Sequence, residues 1–201
     1  MSAAIEKFIR QKRSLSLHKQ KRKIFQRRKF VVHQPYDTIM GDLVFYEGYK
    51  HANNNNKYIL TVIDCFTKKA WTRPLKSKHA ERVAEALDDI LQSMRHPPRK
   101  FCSDKGTEFS VTADSIYNTL VVKYNMVVYT LSGSQFKGSI IERFNRTLKT
   151  RLARYFTENG TTRWVDALSG ITDAYNNSYH RSIKMTPNEA SLLEVMLFIH
   201  Y

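Results

Sequence analysis

Apolar and polar positions change their period along this chain, and the changes mark out its elements. Residues 38–46 read Thr-Ile-Met-Gly-Asp-Leu-Val-Phe-Tyr, an apolar run interrupted by one carboxylate, Asp42, and predict a strand. Residues 47–56 end in four consecutive asparagines, Asn53 to Asn56, which signal a turn. Residues 57–66, Lys-Tyr-Ile-Leu-Thr-Val-Ile-Asp-Cys-Phe, have the β-branched and aromatic density of a buried strand. A third strand is expected over 70–75. The short link Thr67-Lys68-Lys69 makes the two an antiparallel hairpin.

The period then lengthens. Val83, Ala86, Leu87, Ile90 and Leu91 recur at helical spacing within residues 79–95, and Pro97-Pro98 closes that helix. Residues 100–103 predict a short strand, 114–124 a helix and 126–130 another strand. A loop rich in Gly and Ser follows at 131–138. A long helix is expected over 139–157, a further one over 164–179, and a last one beginning near Pro187. The class is therefore α/β. Three antiparallel strands followed by two parallel ones would put the first strand beside the fourth, making Asp42 and Asp104 neighbours across 62 positions of sequence.

Charge changes the picture of the ends. The chain has 201 residues, 42% of them apolar, which suits one globular core with an appended arm. Its net charge of +15 is concentrated at the start, where residues 1–35 carry eleven Lys or Arg against the single acid Glu6. Residues 3–13 could form a short amphipathic helix. The following run holds Lys21-Arg22-Lys23 and Arg27-Arg28-Lys29, with Phe25 and Phe30 interleaved. It reads as a solvated leader, as an arm on DNA phosphates, or as a nuclear import signal that would direct the protein to the nucleus. The division is thus 1–35 as a basic arm, partly helical or disordered, and 36–201 as the core. A polyanion is the partner this charge favours, rather than a membrane, because no apolar run approaches a span. Cys65 and Cys102 read as reduced core thiols, and the seven scattered His have no Cys pair with which to make a zinc site.

Three carboxylates stand in distinctive contexts: Asp42 mid-strand, Asp104 at a strand's C-terminal end before Lys105-Gly106, and Glu142 in the first turn of a basic helix. Each has an ordinary explanation. Asp42 could be a hydrogen-bonded buried acid, Asp104 a turn residue, and Glu142 an acid favoured by the helix dipole. Together they are the hard oxygen donors that could hold two divalent ions about 4 Å apart against a phosphodiester. Arg146 and Lys149 fall at i+4 and i+7 from Glu142, on its own helical stripe, where they could clamp phosphates. Arg143, Arg151 and Arg154 widen the positive field, and Lys137 lies between Gly133 and Gly138 in the preceding loop.

At these residues the chain resembles the catalytic core of retroviral-type integrases. The motifs are Gly-Asp-Leu-Val, Tyr-Ile-Leu-Thr-Val-Ile-Asp-Cys-Phe-Thr-Lys, Ser-Asp-Lys-Gly-Thr-Glu-Phe and Ile-Ile-Glu-Arg-Phe-Asn-Arg-Thr-Leu-Lys, and the likeness extends over residues 17–189. It looks most similar to integrases of Maverick/Polinton transposons. The resemblance implies an RNase H-like fold with a five-stranded mixed sheet flanked by helices. It also implies a catalytic and metal-binding triad at Asp42, Asp104 and Glu142, loaded with Mg2+ or Mn2+, two ions. The implied activity is processing of DNA 3′ ends and their joining to target DNA by transesterification. Double-stranded DNA, from the element's ends and the target, and further copies of the chain are the implied partners, with neither a membrane nor a small-molecule substrate. DNA contacts are expected from Lys137, Arg143, Arg146 and Lys149, and from Lys21, Arg22, Lys23, Arg27, Arg28 and Lys29 in the arm. Asp64 and Glu108 occupy recurrent family positions that are not metal ligands there.

The sequence departs from the family where Gly138-Ser139 replaces the usual Gln-Gly before the last acid, and in a slightly longer separation of Asp104 and Glu142. No His-His-Cys-Cys motif precedes the core and no SH3-like or chromodomain segment follows it. A fragment, a truncated copy or a host-retained remnant would each look like this. The rival reading is therefore a catalytically inactive, integrase-derived DNA-binding or scaffold protein. An RNase H-type nuclease is a third reading, distinguished by cutting RNA–DNA hybrids.

Overall fold

The computed structural model describes residues 5–6, 31–104, 106–130 and 139–193. The expected helix at 3–13, the basic run Lys21 to Lys29, the loop 131–138 with Lys137, and the last eight residues lie almost wholly outside the described residues. For the core, the hydrophobic pattern translates directly. Strands β1 (Thr38–Phe45), β2 (Tyr58–Asp64) and β3 (Ala70–Leu75) form an antiparallel meander, and β4 (Lys100–Ser103) and β5 (Val127–Thr130) extend it in parallel. Their order is β3-β2-β1-β4-β5, so β1 and β4 are neighbours as the topology requires. This is the five-stranded mixed sheet of an RNase H-like fold.

The period of two along β1 decides what each residue faces. Ile39 and Leu43 enter a core with Val83, Leu87 and Ile90 of helix α1 (Ala80–Gln92) and with Ile116 and Leu120. Met40 and Val44 enter the opposite core. There they meet Ile141, Phe144, Leu148 and Leu152 of helix α3 (Ser139–Asn159), and Leu168 and Tyr175 of α4 (Val165–Asn176). Asp42 lies between Met40 and Val44 in register and so faces α3. Gly41 faces the other way, against the fully buried Phe101 ring. A Cβ there would stand 2.6 Å from Phe101 Cζ, so only glycine fits.

Two expectations are refined. The sequence predicts one helix over 114–124, whereas the chain forms α2 (Asp114–Tyr117) and then a π-helical turn over Asn118–Lys123. The β-branched pair Val121 and Val122 crowds an α-turn. The wider turn keeps Leu120 fully buried while its carbonyl accepts from the Met126 amide (2.9 Å) at the entry to β5. The asparagine run does more than turn the chain. Asn53, at the end of a 3-10 helix over Glu47–Asn53, is fully buried. Its Oδ1 accepts from the Trp164 and Val165 amides (2.6 and 3.1 Å), capping α4 from across the molecule.

Asn176 is a second long-range amide tie. Its side chain pairs with both the N–H and the C=O of Ala70 (2.9 and 2.8 Å), fixing α4 to the start of β3. The last helix, α5 (Pro187–Ala190), opens on a capping box in which Thr186 and Glu189 satisfy one another's backbone amides. Both cysteines are free and buried. Among the described residues no helix is long and apolar enough to cross a membrane.

Candidate active site

Asp42 is half-buried where β1 passes under α3. Its Oδ1 accepts from the Leu43 amide (2.8 Å) and its Oδ2 from the Asn145 side-chain amide (2.6 Å). Burial pushes its carboxyl up to about 6 from an ordinary 3.8. The Leu43 bond pulls it down, the charges of Asp104 and Glu108 push it up again, and Lys149 lowers it slightly.

Asp104 follows β4 immediately and is exposed, with its Oδ1 accepting from the Gly106 amide (3.1 Å). The chain then makes a 3-10 turn over Thr107–Phe109, held down by the buried Phe109 ring 5.6 Å from that of Phe101. That anchor folds Glu108 back over Gly106, where any Cβ would meet the Glu108 carboxyl at 2.6–2.7 Å. Parallel pairing of β4 with β1 thus brings Asp104 to Asp42 and carries Glu108 along.

Glu142 arrives from the other side. The apolar stripe of α3 (Ile141, Phe144, Leu148, Leu152) packs on the sheet, and Glu142, exposed, sits at its margin. With Asp42, Asn145, Arg146, Lys149, Thr150 and Ala153 it lines an open groove of about 550 Å3. The acids are therefore gathered as two overlapping sets, Asp42 with Asp104 and Glu108, and Asp42 with Glu142. Among the described residues, no group of three or more His, Cys, Asp or Glu side chains is drawn together tightly enough to hold a metal ion as it stands.

The donor chemistry nevertheless fits a hard divalent cation. The Asp42 carboxyl is raised first by burial and then by two acids, and the buried Asn145 Oδ1 has no hydrogen-bond partner among the described residues. Extra positive charge there would relieve all of these at once.

Arg146 and Lys149 share the groove with Asp42 and Glu142, as the helical spacing predicts. Arg143 does not; it lines a separate cavity with Lys68 and Arg151. Asp64 proves structural. It is fully buried, and its two oxygens accept from the amides of Tyr36, Phe66 and Thr67 and from the Thr67 hydroxyl, organising the turn after β2. Burial raises its pKa despite these bonds. Sequence reasoning passed over Asn145 and set Glu108 aside. Asn145 had a legible signal, being the polar residue on the otherwise apolar stripe of α3. Glu108 had none, because its position depends on how the loop after β4 folds.

A mixed sheet in this order, with helices on both faces, is the RNase H-like fold, and here it carries an acid on the central strand, another at the end of its parallel neighbour and a third on the helix above. Residues 32–130 match the family model described as Integrase core domain. An uncharacterized transposon-derived protein of Caenorhabditis elegans is 38% identical over 139 residues, covering 69% of this chain and 47% of that protein. A Tf2 transposon polyprotein of Schizosaccharomyces pombe is 29% identical over 133 residues, 65% of this chain and 10% of the polyprotein. The chain thus spans less than half the length of either relative. Among solved structures, the HTLV-2 integrase catalytic core domain in complex with magnesium superposes with a TM-score of 0.64 at 15% identity, over 79% of this chain and 97% of that one. The family match thus covers 99 of the 201 residues, and the solved structure shares the fold.

Proposed function

We propose that this chain is the catalytic core of a DNA integrase, a polynucleotidyl transferase that trims the 3′ ends of an element's DNA and joins them to target DNA. The observation that carries the reading is the parallel pairing of β4 with β1, which sets Asp104 at the end of β4 next to the strand of Asp42, beside a groove lined by Asp42, Glu142, Arg146 and Lys149. Asp42, Asp104 and Glu142 would hold Mg2+ or Mn2+, two ions. Divalent metal bound there supplies charge shielding at the phosphate and an activated attacking oxygen.

The protein's own groups supply position. Asn145 holds Asp42 in one rotamer, and Arg146 and Lys149 receive the DNA phosphates on the exposed face of α3. Water is the attacking group in end trimming, and the 3′-hydroxyl so released is the attacking group in joining. The motif likeness to Maverick/Polinton integrases supports such an element as the source. Double-stranded DNA, self-association and a nuclear location belong to the same reading, as do the basic arm 1–35 and the core 36–201 as separate functional parts.

The test is metal-dependent nicking of a duplex carrying a free 3′ end. Asp104→Asn should abolish nicking while duplex binding stays largely intact. Equal nicking by that variant would sink the enzyme and leave the integrase-derived DNA-binding protein as the better reading.

A further inference from the structure

The flank of α3 away from the acidic groove bears a second concentration of chemistry. Arg143, Thr147 and Arg151 recur every fourth residue there, off the Glu142–Arg146–Lys149 stripe. They line a cavity of about 380 Å3 bounded by the turn after β2, the end of α4 and residues 178–182. Its floor is apolar, formed by Ile63, Phe144 and Tyr175. Four nitrogen-bearing side chains from three parts of the chain converge on its walls: Lys68, Arg143, Arg151 and His180. Among the described residues, no Asp or Glu lines it.

Among the described residues, no acid forms an ion pair with these cations. The Arg143 guanidinium makes no hydrogen bond or ion pair with the described residues. Arg151 Nη2 donates to Ser178 Oγ (2.9 Å) and its guanidinium lies over the Tyr175 ring, which leaves further donors unspent. Lys68 donates to the Cys65 carbonyl. Burial lowers the Lys68 pKa, with a smaller push from Arg143. Burial also lowers His180, and Lys68 and Arg143 add to it. The Asp64 charge raises Lys68 in turn, but its oxygens are spent on the turn it organises. Residues 131–138, which lead into α3, contain no acid that could answer these charges. Hydroxyls of Ser139, Thr147 and Ser182 also line the cavity, Thr147 donating to the Arg143 carbonyl (3.1 Å) and Ser182 paired with His180 Nδ1 at 3.0 Å.

An apolar-floored hollow walled by two guanidinium forks and an ammonium suits an oxyanion, and so many cations around one hollow favour a multiply charged tetrahedral one over a single carboxylate. We propose that this cavity is a phosphate-binding site, separate from the groove that holds the acids. Arg143 and Arg151 grip the phosphate oxygens from α3, Lys68 adds charge from the turn after β2, and the hydroxyls complete the shell. The phosphate can be free or part of a nucleic-acid backbone, since both present the same oxygens. The proposal rests on the cavity and its charges and not on the acids doing chemistry.

The test is a titration of the full-length, 15N-labelled protein with inorganic phosphate at constant ionic strength, without divalent metal. Saturable amide shifts confined to Lys68, Ser139 and residues 178–182 are expected. Arg143→Gln with Arg151→Gln, checked for folding by circular dichroism, should weaken phosphate binding by about tenfold or more. A second arm adds a short duplex. Competition between duplex and phosphate for these amides identifies the ligand as backbone phosphate, and independent binding identifies it as a free one. No saturable shift at these residues with either probe overturns the site. So does a phosphate response centred on Arg146 and Lys149. Because no cleavage is read, failure here leaves the nicking result of Asp104→Asn untouched, and failure there leaves this site standing.

Discussion

The side-chain amide of Asn145 donates a 2.6 Å hydrogen bond to Oδ2 of Asp42, joining α3 to the central strand at the acid on which the site is built. It is the direct link between the helix that brings Glu142, Arg146 and Lys149 and the sheet that brings Asp42 and Asp104. The other amide atom, Oδ1, is buried without a partner, so the residue is held there at some cost to the fold.

Replacing Asn145 with Ala should therefore harm activity more than stability. Nicking is expected to fall by about 10–100-fold, as when a group orienting a metal ligand is lost. The midpoint of urea unfolding should move little, because the same change removes the unsatisfied Oδ1. A large loss of stability with nicking intact would assign Asn145 to the fold instead.

Glu142 and Glu108 compete for the third acidic role, and the two are separable. Glu142→Gln should remove metal-dependent nicking. Glu108→Gln should leave most of it, because Glu108 acts on Asp42 by raising its pKa. If Glu108→Gln proves the more damaging of the two, the third donor is Glu108.

The Asp42 carboxyl gives a pH signature. Below pH 3.8 it is protonated whether the chain is folded or unfolded. Between 3.8 and about 6 the folded form keeps a proton that the unfolded form has lost, so metal-free stability falls as pH rises through that interval. Above it the ionised carboxylate is a constant cost of ~1–2 kcal/mol, reduced by its partial exposure. Asp42→Asn should abolish this dependence and raise the melting temperature of the metal-free protein at pH 7. Added Mg2+ should stabilise the wild-type protein at pH 7.5 and do so less at pH 5, where protons compete for the same oxygens.

Gly41→Ala tests the packing beneath the site. The added methyl would meet Phe101 Cζ and Cε2 at 2.6 and 2.8 Å, and the ring is fully buried with nowhere to go. A loss of about 1–3 kcal/mol in denaturant unfolding is expected. Activity should fall with it, because β1 carries Asp42 on the next residue.

Much of this architecture was legible in the chain. The alternation around Asp42 and the helical spacing of Val83 to Leu91 were decisive, because burial of one face imposes the period directly. The stripe from Glu142 to Lys149 was equally legible, since neighbours at i+4 and i+7 need no tertiary information. Asn53 was read as a turn because its role depends on amides more than a hundred residues away. Arg143 and Arg151 were read only as widening the positive field of α3, because the cavity they line together is closed by residues from α4 and from the turn after β2.

Local pattern therefore determined the elements, their order and which acids could matter, since backbone periodicity and side-chain polarity act over a few residues. Only the tertiary structure decided which charges meet. The parallel pairing of β4 with β1 followed the expected strand order, but the loop anchored by Phe109 added Glu108 and the docking of α3 selected Asn145, neither of which local pattern could show. Those outcomes depend on distances between residues far apart in sequence, set by how two cores pack on opposite faces of one sheet.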